Sequence, residues 1–312
     1  MIINKRQKQV QQSLLKSELE VIEELEKSYQ KAIDDINRVI TSLLARKDTE
    51  NLQAIIYQVK YQNALKKELE AFLNVLHTMN YTLIDNYLKD CYINSHIGTL
   101  FDLQGQGIPL ILPLDQEQMI SAITLNSKLS EPLYNSLGYN IDFLKTSVRQ
   151  EISRGIAQSL SYQEISRNIK NTTNVDYNKS LRIAKTEGHR IQCESAYNVQ
   201  VRAKQKGADI VKQWDSTLDG KTRPSHRMLD GQIVDVDDYF KSDSGYKALY
   251  PGDFGVPSED CNCRCALLQR AKWALSDEEF TKMNGKTNEL QHFESVDDYN
   301  KFKSIFWEVT KK

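Results

Sequence analysis

The chain has 312 residues, enough for about two domains of ordinary size. Its 41 Lys and Arg against 42 Asp and Glu give bulk charge no part in holding nucleic acid, which rests on phosphate neutralisation. Mean hydropathy is -0.55, no apolar run reaches the ~18 residues of a membrane span, and the start MIINKRQKQV lacks the apolar centre of a signal peptide.

Residues 5–47 read as one long helix. Ile22, Leu25, Tyr29, Ala32, Ile36, Val39 and Leu43 alternate spacings of three and four, uninterrupted by Gly or Pro. Asp48 or Thr49 can cap a second helix reaching about Asp90, with Leu52, Ile56, Val59, Leu69, Phe72, Leu76, Leu83 and Tyr87 on its stripe. Together they predict an antiparallel, coiled-coil-like hairpin over residues 1–97. It is either a rod that docks on a partner or a helical domain that buries both stripes itself. His77 and His96 read as packing or surface residues. Gly98 to Pro113 breaks the helical pattern, so 98–139 is expected to be a hinge with a connecting helix over Gln116 to Leu125.

A helix over Asp142 to Leu160 follows from Leu144, Val148, Ile152, Ile156 and Leu160, and Ser161 with Glu164 forms a capping box for the next. A further helix runs from Asn178 to about Lys206 and ends at Gly207. On it Glu187 and Arg190 can pair. Glu187 and His189 lie about 200° apart and do not converge for acid–base chemistry. The expected role of Glu187 or Arg190 is to tie this helix to the loop at 215–231.

Trp214 to Cys265 carries most of the unusual chemistry. A short strand ends at Trp214-Asp215. Asp230-Gly231 signals a tight turn before the alternating Gln232 to Val236, which predicts a small hairpin with His226 just ahead of it. A long loop follows, with Tyr239, Phe240, Tyr246, Tyr250 and Phe254 to pin it. Cys261, Cys263 and Cys265 in an extended segment would share one face. Three readings stand: a zinc set completed by His226, buried structural thiols, or a disulfide, which neighbours on one strand rarely allow. The odd total of five cysteines suits a reducing compartment.

These pieces carry a resemblance over roughly residues 140–270. Arg182-Ile183-Ala184-Lys185-Thr186-Glu187 with Arg190, Trp214 with Asp219 to Arg223, His226 to Leu229-Asp230-Gly231, and Asn262-Cys263-Arg264-Cys265 resemble, in order and spacing, the phage Mu F-like minor head proteins, also called head-morphogenesis proteins. The resemblance marks Arg182, Thr186, Glu187, Arg190, Trp214, Asp219, Arg223, Asp230 and Gly231 as structural motif residues. Many members place cysteines where this chain has Arg223 and His226. Arginine cannot ligate, so a zinc set of His226, Cys263 and Cys265 would need Cys261 or a carboxylate as fourth donor.

The expected fold is α+β and mostly α: the helical hairpin, a helical region, a small α/β head-morphogenesis domain over 140–275 with short strands, and a helical tail over 276–312. In that tail Ser276 and Glu279 form a capping box, and a last helix presents Phe302, Ile305, Phe306 and Val309. The tail is too short for a further catalytic domain. The resemblance implies a virion protein acting in head morphogenesis near the portal, with roles in genome packaging or ejection. Its partners would be the portal and other head proteins, with phage DNA a further candidate, and it would pass through the host cytoplasm during assembly. Structural zinc is the one cofactor implied, and no catalytic residue is. The alternatives are a metal-dependent hydrolase or nuclease built on His226 with nearby Asp and Cys, and a DNA-binding module using Lys204, Lys206, Lys212, Lys221, Arg223 and Arg227. No H-E-x-x-H, G-x-S-x-G or P-loop supports the former.

Overall fold

The computed structural model describes residues 4–44, 59–124, 133–157, 162–275 and 297–310. Asp48, Thr49, Leu52, Ile56, Leu160 and both expected capping boxes at their Ser161 and Ser276 ends lie outside them. The described chain is mostly helical with a few short antiparallel strands, as expected. Contacts group it into two units, each drawn from separate stretches of chain: 19–86 with 131–184, and 1–18 with 87–130 and 185–312.

The first of these units packs parts of four helices: α1 (Lys5–Leu44), α2 (Val59–Gly105), α4 (Leu133–Ala157) and α5 (Tyr162–Gln205). Tyr29, Ala32 and Ile36 of α1 meet Leu69, Leu73 and Leu76 of α2, and Ile141, Leu144, Val148 and Ile169 complete the cluster. The described parts of both stripes are thus largely buried. On α2, Leu69, Leu76 and Tyr87 are buried as expected, and two positions differ by one residue: Leu73 and Ile84 are buried, while Phe72 and Leu83 are only partly so. Asn80, a buried polar residue on the same face, accepts a 2.8 Å bond from Ser28 at its Oδ1. Nor does α5 break after residue 171. Thr172, Thr173 and Asn178 turn their side chains back onto the carbonyls of Asn168, Ile169 and Asn174, so these polar residues stay inside the helix.

In the other unit α2 continues through Gly98 to Gly105, where the sequence suggested a hinge. A Cβ at Gly98 would collide with Val10 of α1, so close helix packing, not a break, explains that glycine. The Pro109–Pro113 segment returns over the same core, with Leu112 fully buried and its carbonyl held 2.8 Å from His96 Nε2. Next comes α3 (Gln116–Thr124). The C-terminus of α5 closes on Gly207 at φ +88, with Gly207 N–H on Lys204 O and Ala208 N–H on Ala203 O. This double bond pattern is the Schellman stop.

A three-stranded antiparallel sheet follows. Its central strand β1 (Ile210–Asp215) pairs with β2 (Ile233–Asp235) on one side and β5 (Ala266–Ala271) on the other. The short helix α6 (Pro224–Leu229) lies between β1 and β2, so Asp230-Gly231 ends a helix and does not join two strands. A two-residue pair, β3 (Phe240–Lys241) and β4 (Lys247–Ala248), organises the long loop, and α7 (Pro257–Asp260) precedes the cysteines. Phe240, Tyr250 and Phe254 are buried and pin the loop, whereas Tyr239 and Tyr246 are exposed. The last helix, α8 (Asp297–Thr310), buries Phe302 and Phe306 and leaves Ile305 and Val309 exposed.

The outer edge of β5 is covered by helix side chains. Cys265 O meets His189 Nε2, Gln269 O accepts from Gln106, and Ala271 N–H donates to Gln106 Oε1. Behind them the buried Asp102 carboxylate accepts from Asn4, Gln7, Gln106 and Gln269 and fixes those amides.

Candidate functional site

The site grows around Trp214, the last apolar residue of β1 and fully buried. Its indole stands edge-on to Phe240 at 5.2 Å and to the His226 ring at 5.8 Å. Its Nε1 donates to Ser216 Oγ at 3.1 Å, and that hydroxyl donates to His226 O at 2.6 Å. Ser216 N–H is bound by Asp230 Oδ1 at 2.8 Å, and Gly231, at φ +75, donates its N–H to Trp214 O. One tryptophan, one serine and the Asp-Gly pair therefore hold α6 against β1 and set the depth of His226.

The cysteine segment is not uniformly extended. Asn262 takes φ +54 and Cys263 N–H turns back to Asp260 O, so the alternation begins only at Cys263. His226, Cys263 and Cys265 come together, all buried, with ligand atoms within 4.8 Å of one another. Cys261 is not part of this group, because the left-handed residue redirects the chain between them. His226 Nδ1 lies 3.2 Å from Cys265 Sγ and 3.6 Å from Cys263 Sγ. All five cysteines are free thiols. Cys263, His226 and Ser216 all stabilise charge on Cys265 and pull its thiol well below the ordinary value, whereas burial and the neighbouring sulfur push Cys263 up.

Two features bear on whether this set suits zinc. Two thiols and an imidazole are the preferred donors of that ion. His226 also has the backing that metal-bound imidazoles have. Its Nε2 sits 3.0 Å from Glu259 Oε2, within ion-pair distance but off the line of a hydrogen bond. Glu259 is in turn fixed by Ser225 and Ser244. The residues fit a zinc ion, with three protein donors in place of the four expected. Sequence reading missed Ser216, Ser225, Ser244 and Glu259. Only their position in space connects them to His226.

The motif residues form a ring of backbone ties about this cluster. Thr186 Oγ1 accepts from Asn262 N–H, and Arg223 donates to Cys261 O at 2.5 Å. Asp219 receives a two-pronged bond from Arg264 at 2.6 and 2.7 Å, which holds its carboxyl well below the usual range. The tie that Arg190 makes is not to the 215–231 loop. Buried Arg190 pairs with Glu187 at 2.7 Å and Glu194 at 2.5 Å and donates to Ala122 O, so the tie is to α3. Burial opposes its charge, but the two carboxylates outweigh that and raise its pKa. Gly252 packs onto it, since a Cβ there would stand 3.2 Å from Arg190 Cα. Arg182 is exposed on α5 and belongs to the other unit.

The basic residues around this stretch do not make one open patch. Lys204 is paired with Asp235 and Asp237, and Arg227 donates to Asp219 O and Thr222 O. Lys212 is fully buried, donates to Leu249 O and lies over the Tyr197 and Phe240 rings. Burial lowers its pKa to about 8. Lys206 and Lys221 are exposed. No helix among the described residues is long and apolar enough to cross a membrane.

The chain is 30% identical over 306 residues to NAD(+)--arginine ADP-ribosyltransferase EFV of Enterococcus faecalis, which covers 95% of this chain and 60% of that protein. It is 27% identical over 259 residues to Minor head protein GP7 of Bacillus phage SPP1, covering 78% of this chain and 80% of that protein. The chain therefore spans only about 60% of the length of the first of these relatives. No solved structure matches. Residues 146–268, which hold the tryptophan, the histidine and the cysteine pair, match the model of the Phage Mu protein F like family and are a Mu F-like region.

Proposed function

We propose that this chain is a phage minor head protein that joins the assembling head near the portal and assists genome packaging or ejection. Its place would be the virion interior, with portal and other head proteins as partners. The observation that carries this reading is how the motif residues are used. Thr186, Arg223, Asp230 and Gly231 bond backbone atoms, and Trp214 braces the serine that holds α6, so the motif specifies a fold. The match to 80% of a minor head protein supports the same conclusion. The transferase activity named for the enterococcal relative belongs to a protein of which this chain matches 60%. The matched part overlaps what is shared with the head protein, which supports a structural role for it.

The test is deletion of the gene from the phage that carries it, with capture of portal and scaffold proteins by the tagged chain. Heads that assemble but give a low infectious titre, with portal retained by the tag, are the expected result. Undiminished titre refutes the reading. Transfer of ADP-ribose from NAD by the purified chain would favour the enzyme instead.

A further inference from the structure

The chain's departure from the motif it resembles has a chemical consequence. Arg223 stands where a thiol ligand is expected, and its guanidinium is turned to Cys261 O. Cys261 is outside the donor group, and Ser216 Oγ is already engaged by Trp214 and His226 O. Among the described residues three donors converge and a fourth does not. Beside them is a small cavity of about 20 Å³, lined by His226, Cys265, Thr217, Lys221, Arg223 and Arg264. Its size suits a single water or small anion. Cys263 and Cys265 also border a larger cavity of about 1120 Å³, which shares Thr217, Lys221, Arg223 and Arg264 with the small one. A zinc ion on two thiolates and a neutral imidazole carries no net charge, so the flanking cations set the preference for what completes its coordination.

We propose that His226, Cys263 and Cys265 bind zinc as a three-donor site whose fourth position is taken by an exchangeable water or small anion in the basic cavity beside it. Closed structural sites supply four protein donors; an open fourth position is the mark of sites that bind or activate a ligand. Lys221 is the anion-attracting group, and Glu259 is a positioning residue that orients His226 from behind.

The experiment uses the full chain, stripped of metal and titrated with cobalt(II), with azide as the probe anion. Expected are sulfur-to-cobalt charge-transfer absorption and tetrahedral visible bands that shift when azide is added. Lys221→Ala, an exposed change, weakens the azide response and leaves cobalt affinity unaltered. Glu259→Gln weakens metal binding about 10- to 100-fold, the usual effect of removing a partner behind a ligating histidine. Arg223→Cys supplies the missing thiolate, tightens binding and abolishes the azide shift. Failure of the native chain to take up cobalt overturns the site altogether. Uptake with bands that ignore azide overturns the open position, and an unchanged azide response in Lys221→Ala overturns its anion preference. All three are independent of whether the protein works in a phage head.

Discussion

Arg190→Met tests the account of the buried charge cluster on α5. Arg190 and its partners Glu187 and Glu194 have side chains only 5–6% exposed. Methionine fills much the same volume but takes the guanidinium away from two buried carboxylates. Breaking a buried pair in this way costs about 3–5 kcal/mol, and the lost donor to Ala122 O adds about 1 kcal/mol. At ~2–4 °C per kcal/mol for a domain of this size, the melting midpoint falls by roughly 8–24 °C. The triple variant Glu187→Gln, Arg190→Met, Glu194→Gln removes the three charges together and recovers most of the loss. Urea denaturation of all three proteins gives the comparison. A triple variant as unstable as the single one refutes the reasoning.

Two further outcomes follow from groups described above. Lys212, lowered to about 8 by burial, binds fewer protons folded than unfolded between there and its ordinary value of 10.5. Stability therefore rises as pH climbs through that window, by at most about 3 kcal/mol, and Lys212→Met flattens the rise in urea midpoints. An equal slope in both proteins argues against a buried ammonium. In the other unit, Asn80→Leu alone costs up to about 1 kcal/mol because Ser28 loses one of its two acceptors and keeps Leu25 O, while Ser28→Ala with Asn80→Leu is neutral or stabilising. A double variant less stable than the single would mean that the polar pair contributes more than its bond.

The helices were legible where the apolar spacing was regular, and the errors share a cause. On α2 the reading kept Leu69 and Leu76 but took Phe72 and Leu83 in place of their neighbours Leu73 and Ile84, and passed over Asn80 because it is polar. Gly98 and the Asn-Thr-Thr-Asn run at 171–174 look like breaks, because sequence cannot show that Val10 needs the space or that the threonine hydroxyls return to the helix carbonyls. In the site, the tryptophan, the histidine and the grouped cysteines Cys263 and Cys265 were visible as motif. The exclusion of Cys261 was not, since it depends on a single left-handed residue, Asn262. Glu259 was invisible for a different reason: it is 33 residues from His226, on α7, which follows the loop that Phe240, Tyr250 and Phe254 pin.

The covered border of β5 has a bearing on how such a chain behaves among many copies of itself. An open strand border offers backbone groups that any passing strand can pair with, which invites runaway stacking. Here Gln106 and His189 occupy those groups, and Asp102 keeps the amides from turning away. With those groups occupied, this border of β5 offers no open ladder to a passing strand, and contacts made there are left to side chains, whose identity can discriminate one partner from another.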